Sequence, residues 1–340
     1  MTRKGILTGG TWCVDRNRLL DHWPPENGIA EIFETEISGG GSGYNLAVDV
    51  KRLDPDFPVA TVGLVGDDAD GHLLLAEADA HKIDRAQLVM TRAAPTHFTE
   101  AYSSLQTGRR THITCRGTSN LLTPEHFDFS SVSQRILHLG LPGLHRLMDG
   151  PWADEINGWV AVLRKARAVG LQTNLELASI TPERLAELVR PCLPHLDLLV
   201  VNDSEIAAVA GSEIFKEGRA DTAACIAAMK SVLERGALEL VVVHFPMGAI
   251  ALARDGTVAT QPSVNVPASA IVGPNGAGDA FAAGFLYSFH QGWSLADALS
   301  LAHATAAASL RKMSTTGAVE NWSKCLELAN RWGWREQLPR

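Results

Sequence analysis

The sequence predicts an α/β protein with a mostly parallel central sheet that helices cover on both faces. Short runs rich in Val, Leu and Ile, with few polar interruptions, are typical of strands buried on both sides. Amphipathic stretches of helical length separate these runs, and such β–α alternation favours right-handed crossovers between parallel strands. At 340 residues the chain can bury a large core, and we interpret residues 1–340 as one domain.

The predicted elements follow one another along the chain. The strands are Val59–Val65, Arg135–Leu139, Gly170–Leu175, Leu196–Val201 and Leu240–Phe245. The helices between them are Tyr44–Leu53, Gly71–His81, Pro151–Val169, Pro182–Leu193 and Ala220–Arg235. From Ala277 to Leu310 the pattern predicts two Ala-rich helices broken at Gly292-Trp293-Ser294, with Ser294 as the N-cap of the second.

A second, antiparallel sheet interrupts this alternation. His97–Gln106 and Arg110–Cys115 predict a hairpin with glycine in its turn, and Glu31–Ser38 also alternates in polarity. We expect these pieces, over about residues 11–38 and 96–118, to form a small β-sheet that projects from the core. Such a sheet could serve as a lid, as a dimer clasp or as both.

Composition excludes several classes of function. The net charge of −8 disfavours nucleic acid as a partner, because phosphate backbones require concentrated Lys and Arg. No apolar run approaches the roughly 18 residues of a membrane span. The five cysteines are scattered and never spaced as C-x-x-C, so we expect neither a zinc site nor a disulfide framework, and a cytoplasmic location.

The turn Gly276-Ala277-Gly278-Asp279 leads directly into an apolar helix. A helix start leaves amide groups unpaired and carries partial positive charge, so it can bind a phosphate or a developing anion. Asp279 would lie in the first turn and can accept a hydroxyl proton, which suits in-line phosphoryl transfer to an alcohol. The alternative is that the glycines form a turn and Asp279 only interacts with the helix dipole.

Two further segments carry candidate binding residues. The glycine-dense run Ser38–Asn45 allows a ligand to lie against Gly40 and Gly41, and Asn45 offers both a donor and an acceptor. Its alternative interpretation is a flexible connection into a helix.

Asn202-Asp203-Ser204-Glu205 follows a buried strand, where α/β proteins bind ligands and where oxygen ligands can hold hydrated Mg²⁺. Helix capping by Asn202 or Asp203 is the competing interpretation. Asp15 could chelate two substrate hydroxyls or cap a turn.

In this order the motifs resemble the ribokinase-like (PfkB) carbohydrate kinase family over nearly the whole chain. The matching segments are Gly39–Ala47, Val62–Gly71, Thr107–Thr111, Asn202-x-x-Glu205, Gly276–Asp279 and Ala302–Ala308. The resemblance implies a three-layer α/β/α sandwich with a β-sheet lid. It also implies ATP and Mg²⁺ as cofactors and a small sugar or related polyhydroxy compound as substrate.

The resemblance assigns roles residue by residue. Asp279 would be the general base, and the amides of Gly276, Ala277 and Gly278 would stabilise the transferring phosphoryl group. Asp15, Gly40, Gly41 and Asn45 would contact the substrate. Asn202 and Glu205 would organise Mg²⁺ and phosphate, Glu205 through water, while His244, Gly248 and His303 would lie near the nucleotide.

The chain also departs from the family pattern. Gly273-Pro274-Asn275 lacks the acidic residue that precedes the Gly276 turn in many relatives, which leaves dependence on a monovalent cation open. His244-Phe245-Pro246 replaces the usual end of the nucleotide strand, and Glu176 stands where some relatives carry Arg, which disfavours an anionic substrate. Two alternatives to a sugar kinase remain at this stage. One is a nucleoside kinase with an aromatic platform drawn from Trp12, Trp23 and Phe33, and the other is a non-catalytic sugar or nucleotide sensor.

Overall fold

A computed structural model describes residues 3–216, 219–273 and 275–338. Pro274, part of the departure noted above, lies outside the described residues. The central sheet contains strands β1 Ile6–Gly10, β4 Val59–Gly66, β5 Asp84–Thr91, β8 Ile136–Gly140, β9 Gln172–Leu175, β10 Leu198–Asn202, β13 Leu240–Phe245, β14 Gly248–Ala253 and β15 Val258–Pro262. A second sheet contains β2 Cys13–Leu20, β3 Ile32–Gly40, β6 His97–Ser104 and β7 Arg110–Cys115, and a two-residue pair, β11 Phe215–Lys216 and β12 Arg219–Ala220, stands apart.

The strand order of the central sheet is β15-β14-β13-β10-β9-β8-β1-β4-β5. All neighbours from β13 to β5 pair in parallel, whereas β14 and β15 are antiparallel additions at one edge. The carboxyl ends of the parallel strands therefore open onto one edge of the sheet. Ligands bind at that edge in open α/β sheets.

Helices cover both faces of the central sheet. They are α1 Ser42–Leu53, α2 Ala69–Ala80, α3 Gly158–Ala168, α4 Pro182–Val189, α5 Asp203–Ala210, α6 Thr222–Arg235, α7 Ala277–His290, α8 Leu295–Ser309 and α9 Trp322–Trp332. Successive residues of one strand enter opposite cores: Leu198 and Val200 pack with α1, α7 and α8, whereas Leu199 and Val201 pack with α3 to α6. This alternation along fully covered strands is the three-layer sandwich that the sequence predicts.

The second sheet, called here the lid sheet, has the order β3-β2-β6-β7. β2 pairs in parallel with β6, and the two outer pairs are antiparallel. The predicted hairpin and the strand over 31–38 are therefore confirmed, and β2 completes the sheet. The polarity pattern does not predict β2 as a strand, because charged and apolar residues mix along Cys13–Leu20.

Several predicted element boundaries are wrong, for local reasons. The helix predicted from Pro151 begins only at Gly158, because Asn157 caps it and accepts a hydrogen bond from the amide of Val160. The helix predicted from Gly71 begins at Ala69, after the Asp68 cap. Ser294 caps α8 as predicted. Within the described ranges no helix is both long enough and apolar enough to cross a bilayer.

Candidate active site

Gly276 forms the turn that leads into α7. Its φ is 73°, and a Cβ there would lie 2.7 Å from the carbonyl oxygen of Thr315, so glycine is required. The amide of Ala280 donates to the carbonyl of Gly276 at 2.8 Å and closes the first helical turn. The amides that precede Ala280 have no acceptor within the helix and carry the positive end of its dipole. The turn thus has the geometry of an anion-binding helix start.

Asp279 lies in the first turn of α7 and meets Asn45 of α1. Nδ2 of Asn45 donates to Oδ2 of Asp279 at 3.1 Å. Oγ1 of Thr315 donates to Oδ1 of Asn45 at 2.7 Å, which fixes the orientation of the amide. The glycine loop and the Gly276 turn, two segments singled out in the sequence, therefore converge on one carboxylate.

Glu176 is a second carboxylate at the same place, hydrogen-bonded to Asp279. It directly follows β9, and its Oε2 lies 2.5 Å from Nε2 of His138 on β8. Nδ1 of His138 lies 2.9 Å from Nδ2 of Asn174. The His138 and Asn174 side chains are fully buried, whereas Glu176 is 16% exposed. A continuous polar network thus runs from the interior of the sheet to Asp279.

Burial shifts the pKa of each titratable group in this network. It raises the pKa of Asp279 well above its ordinary value, and the nearby charge of Glu176 raises it further. It also raises the pKa of Glu176 to about 7. The pKa of His138 falls to about 4, so its imidazole is neutral near neutral pH. Because two partly buried carboxyl groups in contact repel each other when both are ionised, the Glu176–Asp279 pair favours holding a shared proton.

The glycine loop holds Asp15 of the lid sheet against the core. Gly41 caps α1 with φ 88°, and a Cβ there would lie 2.7 Å from the carbonyl oxygen of Thr11. A Cβ on Gly40 would overlap Oδ2 of Asp15, so this carboxylate packs directly on the loop backbone. The register pairs Asp15 with Ser38, which places both on the face of the lid sheet that covers the loop.

A cavity of about 480 Å³ adjoins the start of α7. Five candidate residues line it, namely Asn202, His244, Ala277, Gly278 and His303. The Phe281 ring lies between the two histidines, with centroid distances of 4.7 Å to His244 and 5.0 Å to His303. Burial lowers the pKa of His244 to about 4 and that of His303 to about 3, so both present neutral aromatic faces. Such a lining suits a flat heterocycle.

Gly248 does not belong to this cavity. It is the first residue of β14, and a Cβ there would face Leu338 and the carbonyl of Gln261. Its hairpin partner Phe245 lines the cavity instead. Gly248 thus lies in the hairpin beside His244 but does not line the cavity that His244 lines.

Asn202 and Glu205 form a reciprocal cap at the start of α5. Oδ1 of Asn202 accepts from the amide of Glu205 at 2.8 Å, and Oε2 of Glu205 accepts from the amide of Asn202 at 2.9 Å. The capping interpretation is thus a structural fact, whatever else these residues do. Burial raises the pKa of Glu205 to about 7, and the charge of Asp279 adds to the rise. The described residues contain no cluster of three potential metal ligands.

Glu176 was singled out in the sequence only for its charge and not as a site residue, and His138 was not singled out. A signal for both was present. His138 is the one polar side chain within the apolar strand Ile136–Gly140, and Glu176 follows a buried strand at its carboxyl end. A polar residue inside a strand covered on both faces requires a partner, and the neighbouring strand end supplies it.

A helix start with free amides beside a half-buried carboxylate, at the carboxyl edge of a parallel sheet, is an arrangement suited to phosphoryl transfer. The model of the pfkB family of carbohydrate kinases matches residues 6–322, and the chain belongs to this family. It is therefore a kinase that transfers a phosphoryl group to an alcohol group, of the class that acts on sugars or nucleosides.

Individual relatives are distant. The chain is 27% identical over 290 residues to an adenosine kinase of Saccharomyces cerevisiae, covering 84% of this chain and 81% of the relative. It is 26% identical over 302 residues to an ATP-dependent ribose-1-phosphate kinase of Halopiger xanaduensis, covering 89% and 90%. The ribokinase of Arabidopsis thaliana, solved with ribose and ATP, superposes with a TM-score of 0.77 at 20% identity, covering 96% and 99%.

Proposed function

We propose that the chain transfers the γ-phosphoryl group of ATP to a hydroxyl group of a sugar. The observation that carries this proposal is the contact between Asn45 and Asp279, because it joins a glycine loop suited to a polyol with a turn suited to a phosphate. Asp279 takes the hydroxyl proton as the oxygen bonds to the γ-phosphorus, and the bond to the bridging oxygen breaks to release ADP. The amides of Gly276, Ala277 and Gly278 stabilise the charge of the transferring group.

Buried polar atoms support a polyhydroxy acceptor. Among the described residues, the side-chain polar atoms of Asn17, Ser38, Ser42 and Asp49 are buried without a hydrogen-bond partner. Asn17 is two residues along β2 from Asp15, on the same face of the lid sheet, and Ser38 is the register partner of Asp15. Ser42 lies beside Glu176, since both would be within 3.2 Å of a Cβ on Gly140. Since buried polar groups need partners, we infer that several acceptor hydroxyls supply them.

The cavity at the start of α7 is the proposed adenine-nucleotide site. Gly278 opens it towards the phosphates, and His244, Phe281 and His303 offer faces for the base or the ribose. Asn202 borders it, and Glu205, the other half of the same cap, provides a carboxylate near the phosphates. In this proposal Gly248 contributes only through the hairpin that follows His244.

Mg²⁺ fits the oxygen donors present. Glu205 is the candidate ligand, through water, with Asn202 beside it, and the raised pKa of this buried carboxyl is the shift that a cation would reverse. When bound, the ion neutralises charge on the nucleotide phosphates. Because the described residues show no cluster of three ligands, phosphate oxygens and water would complete its coordination.

The direct test measures ADP release over a panel of sugars, polyols and nucleosides. We expect one neutral sugar to stimulate ADP release well above the rate with ATP alone. If no member of the panel did so, the proposal would fail. Tight sugar binding without nucleotide binding, measured by calorimetry, would instead indicate a sensor.

A nucleoside acceptor is the second candidate, because adenosine kinases are among the relatives. The structure removes one of the three residues that were proposed as an aromatic platform for a nucleoside base. Trp12 is fully buried, packs edge-on against Tyr44 at 5.2 Å and donates to Thr61, so it cannot face a ligand. Trp23 and Phe33 remain exposed on the lid side. Calorimetry with adenosine and with ribose, side by side, distinguishes the two acceptors.

We further propose that the lid sheet pairs two copies of the chain. The register places Ile37, Arg16, Glu100 and Ile113 in one row across the four strands, on the face opposite Asp15. Ile37 and Ile113 are each more than half exposed, which is unusual for isoleucine outside an interface. We expect Ile37→Lys to convert a dimer to a monomer in light scattering; a wild-type monomer would refute the pairing.

The free cysteines and the expected absence of a membrane partner fit a cytoplasmic enzyme.

A further inference from the structure

The proton positions around Glu176 follow from the network of amide groups. Oδ1 of Asn174 accepts from the backbone amide of Val200 at 3.2 Å, so Nδ2 is the atom that faces Nδ1 of His138. Nδ1 of His138 must then accept, which places the imidazole proton on Nε2. A neutral His138 therefore donates to Oε2 of Glu176. The other carboxyl oxygen of Glu176 remains for Asp279.

This arrangement places several carboxyl groups on the acceptor side of the site, and no Arg or Lys among the described residues acts on Glu176. The titratable groups that face Glu176 are Asp279 from α7, His138 from β8, Glu205 from α5 and Asp49 from α1. Each of these carboxyl groups adds negative charge when it ionises, and the neutral His138 offsets none of it. The charge of Arg52 lowers the pKa of Asp49 but is not among the charges that act on Glu176, and its Nε is buried without a partner among the described atoms.

We propose that Glu176, oriented by His138, is the residue that restricts the acceptor to uncharged compounds. The inference rests on the proposed kinase function and deepens it. Glu176 shares its proton with Asp279 and offers a carboxyl oxygen to a hydroxyl next to the one that reacts. An acceptor that already carries a phosphate or a carboxylate would bring a second negative charge against the pair, and no Arg or Lys among the described residues acts on Glu176 to offset it.

The proton balance of the reaction is compatible with this role. Before transfer, the pair holds one proton. During transfer, the acceptor O–H bond breaks as its oxygen bonds to phosphorus, and the released proton joins the one already held by the Glu176–Asp279 pair. The pair is then fully protonated, and one proton returns to solvent after the product leaves.

The test compares Glu176→Gln with the wild-type enzyme on matched neutral and anionic ligands. Glutamine can still accept from His138 and donate to Asp279, but it carries no charge. The ligands are ribose, ribonate and ribose 1-phosphate, and their affinities are measured by calorimetry alongside ADP release. Asp197→Asn is the control, since Asp197 is also a buried carboxylate, bonded to Thr173 at the opposite end of β9 and β10.

We expect the ratio of ribose to ribonate affinity to fall by about tenfold or more in Glu176→Gln and to be unchanged in Asp197→Asn. An unchanged ratio in Glu176→Gln would overturn the inference. A wild-type enzyme that binds ribose but releases no ADP would instead defeat the kinase proposal, and the binding ratios would still decide the role of Glu176.

A measurement on the wild-type protein covers the case in which the variant does not fold. Ribonate keeps its charge between about pH 6 and pH 8, whereas the Glu176–Asp279 pair gains its second proton as the pH falls. Ribonate affinity should therefore rise relative to ribose affinity on acidification by about tenfold. A ratio independent of pH would contradict the proposed role.

Discussion

Asn45 and Asp279 lie 234 residues apart in the sequence, yet Nδ2 of the first donates to Oδ2 of the second at 3.1 Å. The contact ties the N-terminal turn of α1 to that of α7. Thr315 holds the Asn45 amide from the other side. The glycine loop therefore orients the Asp279 carboxylate, and under the proposed function this contact would link acceptor binding to the position of the base.

Replacement of Asp279 by asparagine should reduce kcat by about a thousandfold or more, because the amide cannot accept the hydroxyl proton. The ATP dissociation constant should change little, since this side chain does not line the cavity that we propose for the nucleotide. Stopped-flow or coupled ADP-release assays measure the first quantity, and calorimetry measures the second. Near-normal turnover in Asp279→Asn would show that the base lies elsewhere.

The variant Glu205→Gln tests the proposed role of Glu205 in Mg²⁺ binding separately from its role in capping α5. Glutamine at this position can still accept from the amide of Asn202, so the cap and the melting temperature should be kept. The loss of charge should raise the Mg²⁺ concentration needed for half-maximal activity by about tenfold. Asn202→Ala is the contrasting variant, because it removes the cap and should reduce the free energy of unfolding by about 1 kcal/mol. An unchanged Mg²⁺ requirement in Glu205→Gln would leave the residue a purely structural role.

Gly278→Ala should make the protein more stable and less active. A Cβ there would lie 3.7 Å from Cε1 of His244, an ordinary contact, and alanine favours a helix over glycine by roughly 0.5 kcal/mol or more. The methyl group would also enter the nucleotide cavity beside the phosphate turn, so the KM for ATP should rise. Gly284→Ala in the same helix should instead destabilise the fold, since its Cβ would lie 2.9 Å from Cα of Ala302. Thermal unfolding and initial-rate kinetics measure both effects.

Gly40→Ala should impair acceptor binding selectively. The new Cβ would overlap Oδ2 of Asp15 and displace that carboxylate from the loop. We expect the acceptor KM to rise by about tenfold and the ATP KM to stay within about twofold. Gly150→Ala is a suitable control, because the nearest atom to its Cβ would be 3.7 Å away. Equal effects on both substrates would indicate a general distortion of the lid sheet.

Features that depend on local chemistry could be predicted from the sequence. The covered strands, the Asp279 helix start and the Ser294 cap follow from apolar runs and from glycine and serine placement. The missed elements depend on neighbours: edge strand β5 carries Arg85 and Gln87 on a half-exposed surface, and β14 and β15 join the sheet only through β13. The Glu176–His138 pair depends on which strand ends are adjacent, and no local pattern encodes that adjacency.

Stability should depend on pH through the same Glu176. Burial raises its pKa from the usual 4.5 to about 7, so the folded state binds a proton more tightly than the unfolded state. This contribution to stability is complete below about pH 4.5 and is lost as the pH rises through about 7. Glu176→Gln removes the dependence, so the variant should exceed the wild type in unfolding free energy by roughly 3 kcal/mol near pH 8 and by little near pH 4.5. Urea unfolding at both pH values measures the difference. A variant less stable than the wild type at the higher pH would mean that the carboxyl group is ionised in the fold without penalty, contrary to its buried setting.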